Sequence, residues 1–120
     1  MRINWKTLRN KIPPRIRIGK TIYEIVWVSE FKDPTQVGET RFGPFQIAIK
    51  TGLTDKETVT TYIHEVIHAI SEQHNLGLTE NQVLGLESSL TYLLKPDNIF
   101  INRGTRHAKK IKRKHSRRLR

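Results

Sequence analysis

The sequence predicts a small α+β domain, in which a short antiparallel or mixed β-sheet packs against two helices. Three observations lead to this prediction. Residues 15–50 alternate between apolar and polar side chains, which is typical of strands, whereas residues 54–95 show the apolar spacing of amphipathic helices. The chain has 120 residues, enough for one hydrophobic core and too few for two.

A helical turn and a β-hairpin are predicted first. Residues 1–12 form one short turn of helix, which Pro13 and Pro14 end. Residues 15–31 predict a hairpin, because the alternating run Arg-Ile-Arg-Ile leads to a Gly-Lys turn. A segment rich in β-branched and aromatic residues follows and forms the second strand.

The next segment predicts a loop and a further strand. Residues 32–40 contain proline and glycine and few apolar residues, so we expect a loop there. Residues 41–50 alternate in polarity and predict a half-buried strand. Because Pro44 has no N–H to donate to a neighbouring strand, we place this strand at the edge of the sheet or at a bulge.

Two capped helices are predicted in the second half of the chain. Thr54 with Glu57, and Thr79 with Gln82, each have capping-box spacing. Residues 75–77 separate the helices, and Pro96 ends the second. The apolar faces that we expect to be buried are Val59, Ile63, Val66, Ile67 and Ile70 in the first helix and Val83, Leu86, Leu90, Leu93 and Leu94 in the second.

Charge divides the chain into three parts. Lys and Arg number 22 against 11 Asp and Glu, a formal charge of +11. The basic residues cluster at the two ends, while residues 21–102 are net acidic. We therefore expect a basic N-terminal segment (residues 1–14), a folded domain (15–102) and a basic, flexible tail (103–120) whose composition cannot form a core.

Several classes of protein are excluded by composition. The chain contains no cysteine, which rules out disulfide scaffolds, thiolate metal sites and cysteine nucleophiles. It has no apolar run of the ~18 residues that a membrane span needs, and no secretory signal at its beginning. We expect a cytoplasmic protein that does not bind membranes.

A motif with metal chemistry lies in the first capped helix. His64 and His68 belong to the run His-Glu-Val-Ile-His, an HExxH pattern. This spacing brings both imidazoles to one face of a helix, so that they can bind one metal ion. Neutral imidazole suits zinc, which lowers the pKa of a bound water to about 7. Glu65 is placed to accept the proton of that water as general base.

An open catalytic zinc site has three protein ligands, so a third is expected. The run HEVIHAISEQH matches the metzincin spacing HExxHxxGxxH except at Ser71, where that family has glycine. Serine allows the helix to continue, which would carry His74 roughly 80° away from the histidine pair. We therefore expect His74 to be a surface residue at the end of the helix.

Glu80 and Glu87 are the better candidates for the third ligand. They lie seven residues apart on one side of the second helix. If the two helices form an antiparallel hairpin about residue 77, Glu87 lies level with the histidines and Glu80 roughly 10 Å further along the axis. This geometry favours Glu87, and Glu80 would then be an acidic residue that complements the helix dipole.

The run HEVIHAISEQHNLGLTENQVLGLESSLTYLL resembles small HExxH metallopeptidase-like proteins of bacteriophages and bacteria, distant relatives of the SprT and ImmA/IrrE zincins. The resemblance covers about residues 20–98. In that group a glutamate near the start of the next helix precedes V-x-x-L, which corresponds to Glu80 here. The resemblance thus favours Glu80 and the hairpin geometry favours Glu87, and both stay open as the ligand.

The resemblance implies a minimal zincin fold, with the small sheet packed on the HExxH helix and a second, ligand-bearing helix. It implies a zinc-dependent hydrolase that acts on a peptide or protein, in the host cytoplasm if the chain is encoded by a phage. Zincins bind a peptide as an added strand at the sheet edge, here residues 41–50. Arg41, Tyr62 and Tyr92 are candidates for stabilising the oxyanion.

The tail predicts contact with a polyanion, because its ten Lys and Arg in residues 103–120 are accompanied by no acidic residue. It also lacks aromatic residues, so we expect non-specific, salt-dependent contacts with the phosphates of DNA or RNA. A different class of function stays open: a non-catalytic phage nucleic-acid-binding or assembly protein on the same fold. The tail residues expected to contact nucleic acid are Lys109, Lys110, Lys112, Arg113, Lys114, Arg117 and Arg118.

Overall fold

A computed structural model of the chain describes residues 2–94. Its elements are α1 (Trp5–Asn10), β1 (Arg15–Ile18), β2 (Thr21–Val28), β3 (Gly38–Phe42), β4 (Phe45–Lys50), α2 (Asp55–Gln73) and α3 (Glu80–Leu93). The protein is α+β, as the sequence predicts. The helical stop at Pro96 and the basic tail, with all its expected nucleic-acid contacts, lie outside the described residues. No helix in the described part is long and apolar enough to cross a membrane.

The four strands form one mixed sheet in the order β1-β2-β4-β3. β1 and β2 pair antiparallel, β2 and β4 parallel, and β3 and β4 antiparallel. The predicted first hairpin is confirmed, and Gly19 in its turn has φ +62°, a backbone conformation that glycine adopts without a steric penalty. β3 is an edge strand of this sheet, on the side opposite β1.

The prediction of a single edge strand over residues 41–50 is wrong. Gly43 and Pro44 form a turn, with a cis peptide bond between them, that joins β3 to β4. Pro44 therefore stands outside the strand pairing, where its missing N–H has no consequence. Three consecutive residues of β4, from Ile47 to Ile49, are fully buried, as is typical of a central strand covered on both faces. β3 begins at Gly38, inside the predicted loop.

α2 packs on the sheet and begins at the predicted capping box. The Thr54 hydroxyl accepts from the Glu57 amide at 3.1 Å, and the Glu57 carboxylate accepts from the Thr54 amide at 3.0 Å. The core between sheet and helix contains the buried residues Ile18, Tyr23, Ile25, Ile47, Ile49 and Ala69.

The N-terminal segment is joined to this fold through α1. Arg9 forms an ion pair of 3.1 Å with Asp55 at the start of α2, and Ile12 packs against the core. The compact unit consequently runs from Asn4 to Thr91, whereas the charge pattern placed the start of the domain at residue 15. The remaining residues form a separate unit, described only at residues 2–3 and 92–94.

The α2–α3 connection is tied back to α2 by hydrogen bonds. The Leu78 amide donates to the Ser71 hydroxyl at 3.0 Å, and the Leu76 amide donates to the Ser71 carbonyl at 2.9 Å. Asn75 and Gly77 take the left-handed conformation that commonly ends a helix. The second capping box is also confirmed, since Thr79 and Gln82 bond each other's backbone amides at 2.9 and 3.2 Å.

The predicted apolar face of α3 is buried at one position in the compact unit. Val83 is fully buried, but Leu86 and Leu90 are 42% and 40% exposed, so their predicted burial is wrong. The periodicity is that of an amphipathic helix, but the middle of the face is exposed, while Leu93 and Leu94 at its end are partly buried.

Candidate metal centre

α2 places the two histidines of the HExxH pattern side by side. Their ring centroids are 4.9 Å apart, and both side chains are partly buried. The uninterrupted helix from Asp55 to Gln73 produces this arrangement, since residues four apart on a helix share one face.

Glu80, in the first turn of α3, bridges the two imidazoles. One carboxylate oxygen lies 3.0 Å from Nε2 of His64, and the other lies 3.0 Å from Nε2 of His68. The three side chains offer ligand atoms within 4.8 Å of one another. Ligand atoms of a tetrahedral zinc site lie ~3.3 Å apart, given zinc bonds of about 2.0 Å. The group therefore has nearly the spacing that a small cation requires.

Glu87 contacts the other nitrogen of His64. Its Oε1 lies 2.9 Å from Nδ1, so both nitrogens of this one ring face carboxylate oxygens. A neutral imidazole has a single N–H, so it cannot donate to both carboxylates. One of the two contacts therefore needs an additional proton or a cation between its atoms, and two imidazoles with a carboxylate fit zinc.

The contacts of the two glutamates with the histidines differ. Glu80 reaches Nε2 of both histidines, whereas Glu87 reaches only Nδ1 of His64. The hairpin estimate placed Glu80 roughly 10 Å from the histidines because it assumed that α3 runs straight back along α2. The connection instead folds back on the last turn of α2, where Leu76 and Leu78 bond Ser71, and the first residue of α3 lies beside His68.

Glu65 lies on the sheet side of α2 and is buried. It is 8% exposed, and its Oε1 accepts a hydrogen bond of 2.7 Å from the Thr40 hydroxyl of β3. Burial raises the pKa of Glu65 above its ordinary value. The Thr40 hydrogen bond and the electrostatic influence of the nearby histidines oppose this rise in pKa, and the charge of Glu80 adds to it.

His64, Glu65, Glu80 and Glu87 line an open cleft of about 350 Å³ between α2, α3 and the chain that enters β3. Among the described residues that line it, the charged side chains are acidic or imidazole, and none is Lys or Arg. The lining residues are Thr35, Gln36, Val37, Gly38, Thr60, Thr61, His64, Glu65, Glu80 and Glu87.

The chain matches no family model, no curated protein and no solved structure.

Gly38 allows β3 to approach α2 beside Glu65. A Cβ at this position would lie 2.5 Å from Cγ2 of Thr61 and 3.0 Å from Oε2 of Glu65. Real Cβ atoms do not make the first of these contacts, so with any larger residue at position 38 either the Thr61 side chain or the strand must shift.

Replacing Gly38 with alanine is expected to destabilise the protein by about 1–3 kcal/mol, the usual cost of overpacking. Thermal unfolding would measure this as a lower melting temperature. Gly85 in α3 serves as the control, because a Cβ there meets nothing within 4 Å and alanine favours the helix. If both variants unfold at the same temperature, the close approach at Gly38 does not matter.

The remaining sequence candidates lie elsewhere. His74 is the exposed C-cap of α2, as expected. Arg41 is engaged with Glu39 and Gln46 on its own sheet, and Tyr62 packs against the core, so neither lines the cleft. Tyr92 is exposed in the last turn of α3.

Sequence reasoning missed the contribution of β3, above all Gly38 and Thr40. The signal was present in the run Gly-Glu-Thr-Arg-Phe followed by Gly-Pro and a second alternating segment, a hairpin pattern. Interpreting Pro44 as part of a strand concealed it.

Proposed function

We propose that the protein is a zinc-dependent peptidase of the zincin type. The observation that carries the proposal is the bridge from Glu80 to Nε2 of both HExxH histidines. His64 and Glu80 line an open cleft together with the buried Glu65. The mixed sheet packed on α2 is compatible with a minimal zincin fold.

In this proposal His64, His68 and Glu80 hold the zinc ion. Three protein ligands leave a position for water and substrate, as catalytic zinc sites do. When bound, zinc supplies Lewis acidity to the water and to the peptide carbonyl. Glu87 keeps His64 in one orientation through Nδ1, in the way that carboxylates orient metal-bound histidines.

Glu65 moves the proton in the proposed reaction. Its carboxylate takes a proton from the attacking water as the carbon–oxygen bond forms, and passes it to the amine as the carbon–nitrogen bond breaks. Burial favours this role, because a raised pKa brings a carboxylate closer to the pH at which it can both accept and release a proton.

β3 is the proposed docking strand for the substrate. It is the edge strand next to the cleft, and an extended peptide can add to such an edge through backbone hydrogen bonds. The correction of the strand boundaries moves this role from residues 41–50 to Gly38–Phe42.

Metal content and peptide cleavage together test the proposal. The purified full-length chain should contain one zinc per molecule by elemental analysis, and should cleave casein or a peptide library. Chelation should abolish cleavage and zinc should restore it. His64→Ala should lose both metal and activity, whereas His74→Ala, the same change at the exposed end of α2, should keep both.

Each other outcome has a defined meaning. Absence of zinc from the purified chain and failure to take it up would contradict the metal site. Zinc binding without cleavage of any peptide would favour the alternative, a non-catalytic nucleic-acid-binding or assembly protein of a phage.

The basic tail is proposed to bring the peptidase to nucleic acid in the cytoplasm. Seven phosphate contacts would cost a factor of about 10³ or more in affinity between 50 and 200 mM salt. We expect the full chain to bind DNA or RNA at 50 mM salt and to lose this binding as the salt concentration rises to 200 mM. A variant with glutamine at all seven predicted positions should bind weakly throughout in a gel-shift assay. Equal binding by this variant would contradict the role of the tail.

A further inference from the structure

β3 contacts Glu65 of α2 through two alternate residues of the strand, Gly38 and Thr40. Thr40 places its hydroxyl 2.7 Å from Oε1 of Glu65 and 2.9 Å from the Glu65 carbonyl oxygen. Gly38 lies on the same side of β3 and leaves the space that the rest of the carboxylate occupies. The edge strand thus contacts both the backbone and the side chain of this one residue.

The Thr40 hydroxyl meets a physical need of the buried carboxylate. A carboxylate removed from water requires hydrogen-bond donors, and leaving one unsatisfied is costly. Of the hydrogen bonds formed by residues 2–94, the one from Thr40 is the bond that reaches the Glu65 carboxylate. The hydroxyl has a single hydrogen, and the shorter of its two distances is the one to the carboxylate.

We propose that Thr40 is a positioning residue that holds the carboxylate of Glu65 beside the histidine pair. One rotatable glutamate side chain can adopt several orientations, and a hydrogen bond at one oxygen fixes which of them is populated. Because Thr40 belongs to the proposed docking strand, the strand that would receive the substrate also sets the position of the general base. The catalytic consequence rests on the proposed function, whereas the hydrogen bond is a property of the metal-free chain.

Kinetics of the zinc-loaded full chain test the catalytic consequence. Thr40→Val keeps the shape of the side chain and removes the hydroxyl, and we expect kcat to fall about tenfold or more with KM and zinc content unchanged. Thr40→Ser, which restores the hydroxyl, should recover most of the loss. Unchanged kcat in Thr40→Val, or failure of serine to rescue it, would overturn the proposal.

Thr21→Val is the matched control. Thr21 is also a strand threonine whose hydroxyl donates to an α2 side chain, Oε1 of Gln73, at 2.8 Å. Its partner is the last residue of α2, about 12 Å along the helix from Glu65. Thr21→Val should therefore lower stability as Thr40→Val does while leaving kcat unchanged, and an equal loss of kcat would show that Thr40 acts only through general stability.

A double-mutant cycle on the metal-free chain gives a readout that needs neither zinc nor substrate. Thr40→Val should lower the melting temperature by about 4–8 °C when Glu65 is present. In a Glu65→Met background the same change should lower it clearly less, since no carboxylate remains to be satisfied and only the bond to the backbone carbonyl of residue 65 can still be lost. Equal losses in both backgrounds would refute the Thr40–Glu65 coupling. If the chain cleaves no peptide, the proposed function fails, and this cycle still decides whether Thr40 positions Glu65.

Discussion

Replacing Glu65 with glutamine is expected to reduce kcat by about 10²–10⁴, the usual contribution of a general base. The amide has nearly the shape of the carboxylate and can still accept the hydrogen bond from Thr40, but it cannot take a proton from water. Zinc content should be unchanged, because Glu65 is not among the three residues that offer ligand atoms to one ion. Steady-state kinetics and elemental analysis on the same preparation measure both quantities.

Stability provides the control for this variant. Since burial raises the pKa of Glu65, its ionised form opposes folding at any pH above the unfolded-state pKa, so the neutral amide is not expected to lower the melting temperature. Glu72→Gln, the same change at an exposed position of α2, should leave activity intact. Full activity in Glu65→Gln would exclude Glu65 as the base.

Replacing Glu80 with glutamine is expected to lower the affinity for zinc more than replacing Glu87 does. Glu80→Gln removes a charged ligand and should weaken zinc binding by more than the 10–100-fold that is typical of losing a residue behind a ligand. Glu87→Gln should stay within that range, because an amide oxygen can still accept from Nδ1 of His64. Competition with a chelator of known affinity measures both constants.

Cobalt substitution adds a second measurement to this comparison. The visible spectrum of bound Co²⁺ reports on its ligands, so it should change in Glu80→Gln and be nearly preserved in Glu87→Gln. The opposite order, in affinity and spectrum, would make Glu87 the ligand and Glu80 its support.

Features that depend on residues close in sequence were predicted correctly. Both capping boxes, the Gly-Lys hairpin and the approach of His64 to His68 each involve residues within a few positions of one another. In such cases the backbone geometry of one element is sufficient to place the side chains.

Features that depend on distant residues could not be predicted in this way. The parallel pairing of β2 with β4 joins segments more than 20 residues apart, and it makes β4 central and β3 the edge. The choice between Glu80 and Glu87 depends on where α3 begins relative to α2, which the connection decides. The contact of Thr40 with Glu65 requires both the corrected strand and its packing on the helix.

The hydrogen bonds that Ser71 receives limit how many residues the α2–α3 connection can contain. Because Ser71 holds Leu76 and Leu78, the segment between Gln73 and Glu80 acts as a spacer of set length rather than a slack linker. One inserted residue lengthens the connection by up to ~3.6 Å. This exceeds the 3.0 Å that separates the Glu80 oxygens from the histidine nitrogens. Insertions between the helices would thus separate Glu80 from the histidines. The metal group depends on the length of a segment that supplies none of its ligands.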